Sequence, residues 1–346
     1  MESQDPSKEK LAPSSPLKEP SIEDWMATTD AVRPVIEPIL KEVYSNRRGR
    51  PPYCPFSMFK ALLYRTRIGS LRQLCRKLKA DKRLLELTGL PRVPTHQSFS
   101  VFVNRLGFER FRAINNLILA ELGKFWPDLG KIVSVDGTVV KAFAKRNLGD
   151  RSTTDPDARL GFKEKLQKKP HFIFGYRATV CCDAERELPL VTIVTPANAN
   201  ESRLYPTILR QTRDLGINFE VVTADKLFDS RRNIALTIGY KAIPIIGLNP
   251  RGSKTAKQTG KRLGDVILPV QRDSERWRYY YSMRSASERL FASLKEQLGF
   301  ASLKTRRLGR VASYFLLCTI AKLLTALSAA RLGRSDLIRS VIPWSY

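Results

Sequence analysis

The sequence predicts an α/β fold, a mixed central sheet with flanking helices preceded by a small all-helical region. Three observations carry this expectation. Apolar residues recur at three-and-four spacing from Ile22 to Leu106, the spacing of a helix face. Runs rich in β-branched residues then begin at Lys131 and return until Asn249, as strands do. Helical stretches separate only the later runs, giving the order βββαβαβα. Three strands in succession form an antiparallel meander, whereas strands alternating with helices lie parallel, so the sheet must be mixed.

Taken in order, residues 1–20, "MESQDPSKEKLAPSSPLKEP", are charged and rich in Pro and Ser without an apolar core, and read as a flexible leader. Residues 21–45 form short helices interrupted by Pro34 and Pro38. "NRRGRPPYCP" (46–55) is turn and linker chemistry, and Arg47, Arg48 and Arg50 there are candidate phosphate contacts. From Phe56 to Leu87 the helical pattern resumes, with a break at Gly69. After Pro94, Thr95 can cap a helix that turns Phe99, Phe102, Val103 and Leu106 inward and His96, Gln97 and Arg105 outward. Such a helical hairpin is a DNA-docking geometry and also a common structural unit.

The texture changes at Lys131. "KIVSVDGTVVKAF" (131–143), "GYRATVCCD" (175–183) and "ELPLVTIVTPAN" (187–198) read as the three leading strands. A helix over Ser202–Leu215, a strand in 218–230, a helix over Arg231–Ile238, a strand in 241–249 and a closing helix around 279–300 complete the series. Two Lys-rich stretches, 145–170 and 251–263, carry too much charge for a core and read as loops. Lys145 and Arg146 are candidate DNA contacts in the first. Val311–Ala330 is long and apolar enough to span a bilayer, but it carries Lys322 near its middle, at a cost of roughly 2.5–3.5 kcal/mol in lipid. We therefore expect a buried core helix and no membrane partner. The expected division is a leader (1–20), a helical DNA-binding region (21–128) and a sheet-based catalytic region (129–346).

Sixty Lys and Arg against thirty-three Asp and Glu leave a net charge of +27, a field that holds polyanions. Nucleic acid is the leading partner, ahead of anionic lipid. The five cysteines show no C-x-x-C spacing, which points to reduced thiols, a cytoplasmic setting, and neither disulfides nor structural zinc. Two histidines far apart, His96 and His171, make a zinc hydrolase or a histidine general base improbable.

In so basic a chain, acids at the ends of apolar strands stand out. Asp136 follows "IVSV" and Asp225 follows "EVVTA", where α/β sheets usually place ligands. Each alone is compatible with a cap or turn former. Joined by a glutamate on a helix, they make an oxygen donor set suited to hard divalent cations such as Mg²⁺. Two such ions about 3.5–4 Å apart can serve phosphodiester displacement. Glu288 is the third candidate. Tyr281, Arg284, Glu288 and Lys295 stand at offsets 0, 3, 7 and 14 and fall within a stripe roughly 40–60° wide on a helix. Leu290, Phe291, Leu294 and Leu298 take another side. The bland alternative is a solvated i,i+4 pair of Arg284 with Glu288.

The spacing Tyr281-x2-Arg284-x3-Glu288-x6-Lys295 resembles the Y-R-E-K pattern of bacterial insertion-sequence DDE transposases. "SVDGTVVK", "GYRATVCCDAERELPLVTIVTPANANES" and "VVTADKLFDS" are similar to surrounding blocks of that family, and "GRPPYCPFSMFKALLY" to its N-terminal helical domain. The resemblance spans roughly residues 47–330. It implies a ribonuclease H-like catalytic fold and metal-dependent DNA cleavage and strand transfer. Asp136, Asp225 and Glu288 would hold two Mg²⁺ ions, for which Mn²⁺ could substitute. Tyr281, Arg284 and Lys295 would contact DNA phosphates near the scissile end. The implied partners are transposon ends and target DNA, with a homodimer assembled on them at the nucleoid. A regulator that has lost catalysis and a simple nuclease of the same fold remain the alternatives.

Overall fold

The computed structural model describes residues 19–44, 53–145, 153–166, 169–250, 268–341 and 344. Arg47, Arg48, Arg50 and Arg146, proposed above as DNA contacts, lie outside the described residues.

The chain opens with α1 (Ile22–Ala31), α2 (Arg33–Lys41), α3 (Pro55–Ile68), α4 (Leu71–Ala80), α5 (Lys82–Thr88) and α6 (His96–Phe125). Local chemistry sets their ends. Ser21 and Ser70 close capping boxes with Asp24 and Gln73, satisfying amides that the first helical turn leaves open. Thr95 caps α6 as the sequence suggests. That helix runs much further than the hairpin reading implied, because it breaks at Gly107 (φ 66°) and immediately resumes. Phe99, Phe102 and Leu106 point into the core.

Six strands follow among the described residues: β1 (Ile132–Lys141), β2 (Arg159–Leu166), β3 (Lys169–Asp183), β4 (Leu188–Pro196), β5 (Val221–Ala224) and β6 (Ile243–Ile246). β1 pairs antiparallel with β3 and parallel with β5; β3 pairs antiparallel with β4, and β5 parallel with β6. The five-strand order β4-β3-β1-β5-β6 is the expected ribonuclease H-like arrangement, with α7 (Tyr205–Asp214) and α8 (Arg231–Gly239) connecting its later strands. One expectation fails. The stretch 145–170 is not all loop: β2 lies within it and pairs with the first half of β3. Strand backbone can carry charge wherever its side chains face water, so a run of lysines hides a ladder that depends on main-chain bonds.

Beyond β6 come α9 (Glu275–Ser282), α10 (Ser285–Ala292) and a π turn at Ser293–Gln297. The final long helix, α11 (Leu308–Arg331), is the apolar segment singled out in the sequence; its apolar window is entirely buried within the chain. It packs against α6, β4, α1 and α3. One continuous core therefore joins Trp25, Phe59 and Phe102 of the N-terminal helices to Phe315 of α11 and Val133 and Val180 of the sheet. Lys322 is accommodated there because its ammonium donates to the Arg339 carbonyl and lies 3.4 Å from Ser293 Oγ; burial lowers its pKa to about 8. All five cysteines are free thiols.

Candidate active site

The site is built where two strands part. β1 and β5 run in parallel register from Ile132↔Val221 to Val135↔Ala224, and the next residue on each is an aspartate, Asp136 and Asp225. Asp136 does not end its strand as the sequence suggested: β1 continues to Lys141, paired beyond this point with β3 only. Pairing with β5, rather than the strand itself, is what stops there. Gly137 follows because Glu201 packs against the same backbone; a Cβ at that position would overlap the Glu201 carboxylate. Glu201 is itself buried and ion-paired with Arg177 of β3.

Asp225 caps the short 3-10 turn Lys226–Phe228, its Oδ1 accepting the Leu227 amide at 2.8 Å. The bland role foreseen for it is thus present alongside its place in the fork. Ser134 and Ser287 fasten α10 to β1. Ser287 Oγ lies 3.3 Å from Asp136 Oδ2, 3.3 Å from Ser134 Oγ and 2.9 Å from the Arg284 carbonyl oxygen. This brings Glu288, the next residue, to the mouth of the fork.

The electrostatics show how closely the acids gather. Burial pushes the Asp136 carboxyl up to about 6, and the negative charges of Asp225 and Glu288 add to that; the Gly137 amide, 2.7 Å from Oδ1, and the Arg284 guanidinium pull it back. Glu288 keeps a side chain 55% exposed and takes Arg284 Nη1 at 2.7 Å. Among the described residues no three His, Cys, Asp or Glu side chains already surround a point where one ion would sit. The donor chemistry nonetheless fits a divalent cation. A desolvated carboxyl that two further carboxylates help hold above its usual range would lose its proton to a bound dication, and Glu288, now paired with Arg284, would be the third donor.

The other motif residues surround this cluster, though not on one helix. The chain turns at Met283–Arg284 and loosens into the π turn after Ala292, so the predicted single stripe is three helical pieces. The π turn carries Lys295 to β1, where its ammonium donates to Thr138 Oγ1. Thr138 stands two residues past Asp136 and so shares its face of the strand. Tyr281 stacks on Trp277 at 4.3 Å between ring centroids, with Arg284 Cζ 5.8 Å from its ring. Its hydroxyl lies over Gly247, whose Cβ position would be 2.6 Å from Tyr281 Oη and 3.2 Å from the amide nitrogen of Lys226, the residue after Asp225. Lys145 is exposed just beyond β1.

Two further acids near these strand ends, Asp183 and Asp229, are already engaged. Asp183 is buried and accepts the amides of Gly130 and Arg186 at 2.7 and 2.5 Å. Asp229, also buried, accepts the Asn249 amide at 2.7 Å and pairs with Arg272 at 3.4 Å; Ser230 rather than Asp229 caps α8. Sequence reasoning missed Ser134, Thr138, Ser287, Glu201 and Arg177. Part of the signal was present: Ser134, Asp136 and Thr138 alternate along "SVDGT", a polar stripe on an otherwise apolar strand.

Two family models match the chain. A family model described as "Transposase DDE domain" matches residues 127–324, and one described as "Transposase domain (DUF772)" matches residues 23–105. No curated protein gives a significant match. Among solved structures, the piggyBac transposase synaptic complex with hairpin DNA is 11% identical, with 92% of this chain and 78% of that chain covered and a TM-score of 0.47. The Mos1 transposase paired-end complex with left transposon end is 14% identical over 73% of this chain and 83% of that one, with a TM-score of 0.22. A Mos1 mariner paired-end complex with Mn is 13% identical over 74% and 83%, also at 0.22. Likenesses this distant transfer no residue roles. The DDE domain model, in contrast, spans more than half of the sequence and contains the strand fork with its three acids, and the chain belongs to the DDE transposase family.

Proposed function

We propose that the protein binds the terminal inverted repeats of an insertion sequence and catalyses metal-dependent strand cleavage and strand transfer. The observation that carries this reading is the fork itself: Asp136 and Asp225 leave paired strands at one level, and Ser287 ties the helix of Glu288 to Asp136. Asp136, Asp225 and Glu288 hold two divalent ions, Mg²⁺ with Mn²⁺ as a substitute. When bound, such ions supply Lewis acidity to both the attacking and the departing oxygen of a phosphodiester.

The remaining residues orient DNA. Arg284 is released from Glu288 and turns to a backbone phosphate, Lys295 is held at the β1 face by Thr138, and Tyr281 stands over the end of β6 beside Lys226. Arg47, Arg48, Arg50, Lys145 and Arg146 add phosphate contacts. A hydroxyl freed at the element's 3′ end then attacks target DNA, two ends being held by a homodimer at the nucleoid in the cytoplasm. Residues 21–128 supply the DNA-binding region and 129–346 the catalytic one, behind the leader 1–20.

The deciding experiment is incubation with Mg²⁺ and a duplex carrying the sequence that flanks the gene. Nicking at the element end by wild type, lost in Asp136→Asn and Glu288→Gln, is expected. Nicking that survives either substitution sinks the assignment, and specific binding without any nicking favours a regulator that has lost catalysis.

A further inference from the structure

A second charged feature lies away from the acids, between the N-terminal helices and the sheet. It is a groove of about 490 Å³ with Arg72 and His96 on the helical side and Phe143, Lys304, Arg306 and Arg310 on the other. Among the described residues no carboxylate lines it. Its floor is Arg65, only 5% exposed, whose Nε donates to the Gly69 carbonyl at 3.1 Å and whose guanidinium lies 4.6 Å from the Tyr314 ring of α11. Arg72, Lys304, Arg306 and Arg310 are exposed on its walls.

Phe143 gives the groove its shape. The ring is 44% exposed, with Lys304 Nζ and Arg306 Cζ each 5.3 Å from its centroid, and its carbonyl accepts Arg306 Nε at 2.8 Å. Cations gathered over an aromatic face remain available to a polyanion while their stems stay ordered. Repulsion among these clustered cations makes a closely spaced row of negative charges the fitting occupant.

Position decides which polyanion. Phe143 lies seven residues beyond Asp136, five along β1 to Lys141 and two into the bend that follows, roughly 17–23 Å at about 3.3 Å per residue. That is about five to seven base pairs of duplex at roughly 3.4 Å each. We infer that this cleft binds the backbone phosphates of the duplex being cut, about six base pairs from the cleavage point, so that both regions of one chain grip the same DNA. The inference rests on the proposed cleavage at the strand fork.

The test is Arg72→Gln combined with Lys304→Gln, set against Arg210→Gln combined with Arg331→Gln, two exposed arginines away from the cleft. Affinity for an end duplex is measured across salt, with thermal midpoints confirming that each variant folds. The cleft variant should lower the slope of log affinity against log salt by about 1.8, two contacts at roughly 0.9 each, and the control far less. Arg72→Lys with Lys304→Arg should restore the slope. On duplexes whose arms stop about three base pairs either side of the cut, wild type and cleft variant should converge, since no phosphate then reaches the groove. A cleft variant that matches the control on long duplexes, or a deficit that persists on the short ones, overturns the inference. Wild-type cleavage with unchanged slopes would remove the cleft and leave the catalytic reading intact. The expected slopes with no cleavage by wild type would do the reverse.

Discussion

Two sets of acids lie in or beside the same sheet and keep different company. Asp183 and Asp229 are fully buried, yet each is surrounded by donors: backbone amides for both, Arg186 for one and Arg272 for the other. Asp136, Asp225 and Glu288 are less buried but face one another, and burial with mutual repulsion raises Asp136 to about 6. Burial lifts the Asp183 carboxyl too, but there amides and Arg186 oppose it, whereas at Asp136 neighbouring carboxylates add to it; acids left facing each other indicate a charge that the protein does not itself provide. The contrast separates structural from functional carboxylates without reference to sequence position.

The largest expected effect breaks the second set. Asp136→Asn should lower metal-dependent cleavage about a thousandfold, roughly 4 kcal/mol of barrier, and leave the thermal midpoint unchanged or higher. Single-turnover cleavage of an end duplex and a thermal melt measure the two quantities. A large fall in stability with little loss of cleavage would place Asp136 among the structural acids.

Removing a member of the first set should do the opposite. Asp183→Ala strands the Gly130 and Arg186 amides and leaves the Arg186 guanidinium to Asp128 alone, costing about 3 kcal/mol in denaturant unfolding. Cleavage per folded molecule should stay within about twofold of wild type, because only an uncompensated active-site charge reaches the chemistry. If the folded variant loses cleavage, the division between the two sets is wrong.

How much of this was legible beforehand follows from which interactions are local. The caps at Thr95, the buried face of α6, the strand and helix order and the apolar α11 were readable because spacing and capping are properties of neighbours in sequence. β2 was not, since its pairing with β3 uses main-chain groups that a run of lysines conceals. The three acids could be named from their residue types, but their meeting could not: 89 and 63 residues separate them, and only the end of β1–β5 pairing brings the first two together. Ser287 and Thr138 escaped for the same reason. Their partners lie about 150 residues away in the chain, and nothing in a serine or threonine alone points so far.

The pH dependence sharpens the comparison further. The Asp136 carboxyl lies near 6 in the folded chain against an ordinary 3.8, so between those values the folded state binds more protons than the unfolded. Without divalent ions, stability should therefore fall as pH rises from about 4 to above 6, by on the order of 2 kcal/mol once partial solvation of the site is allowed for. Asp136→Asn should flatten that decline, and Mg²⁺ should remove it in wild type by favouring the ionised form. Denaturant melts across this window measure it. An identical slope in wild type and variant would mean that the fork does not resist ionisation.

The smallest effect separates charge from placement at Lys295. Replacing Lys295 by Ala removes one phosphate-binding charge and should lower the salt slope of end binding by about 0.9. Thr138→Val keeps the charge and removes only the hydroxyl to which the ammonium donates. The lysine then samples more rotamers before it meets DNA, at a cost of about 0.5–1 kcal/mol. Affinity should fall roughly two- to fivefold, with the salt slope unchanged. Were Thr138→Val to change the slope as much as Lys295→Ala, the hydroxyl would be setting whether the lysine reaches phosphate at all. The π turn would then be the element that aims the motif, and the strand face beside Asp136 would be as much a part of the DNA site as the helix that carries Glu288.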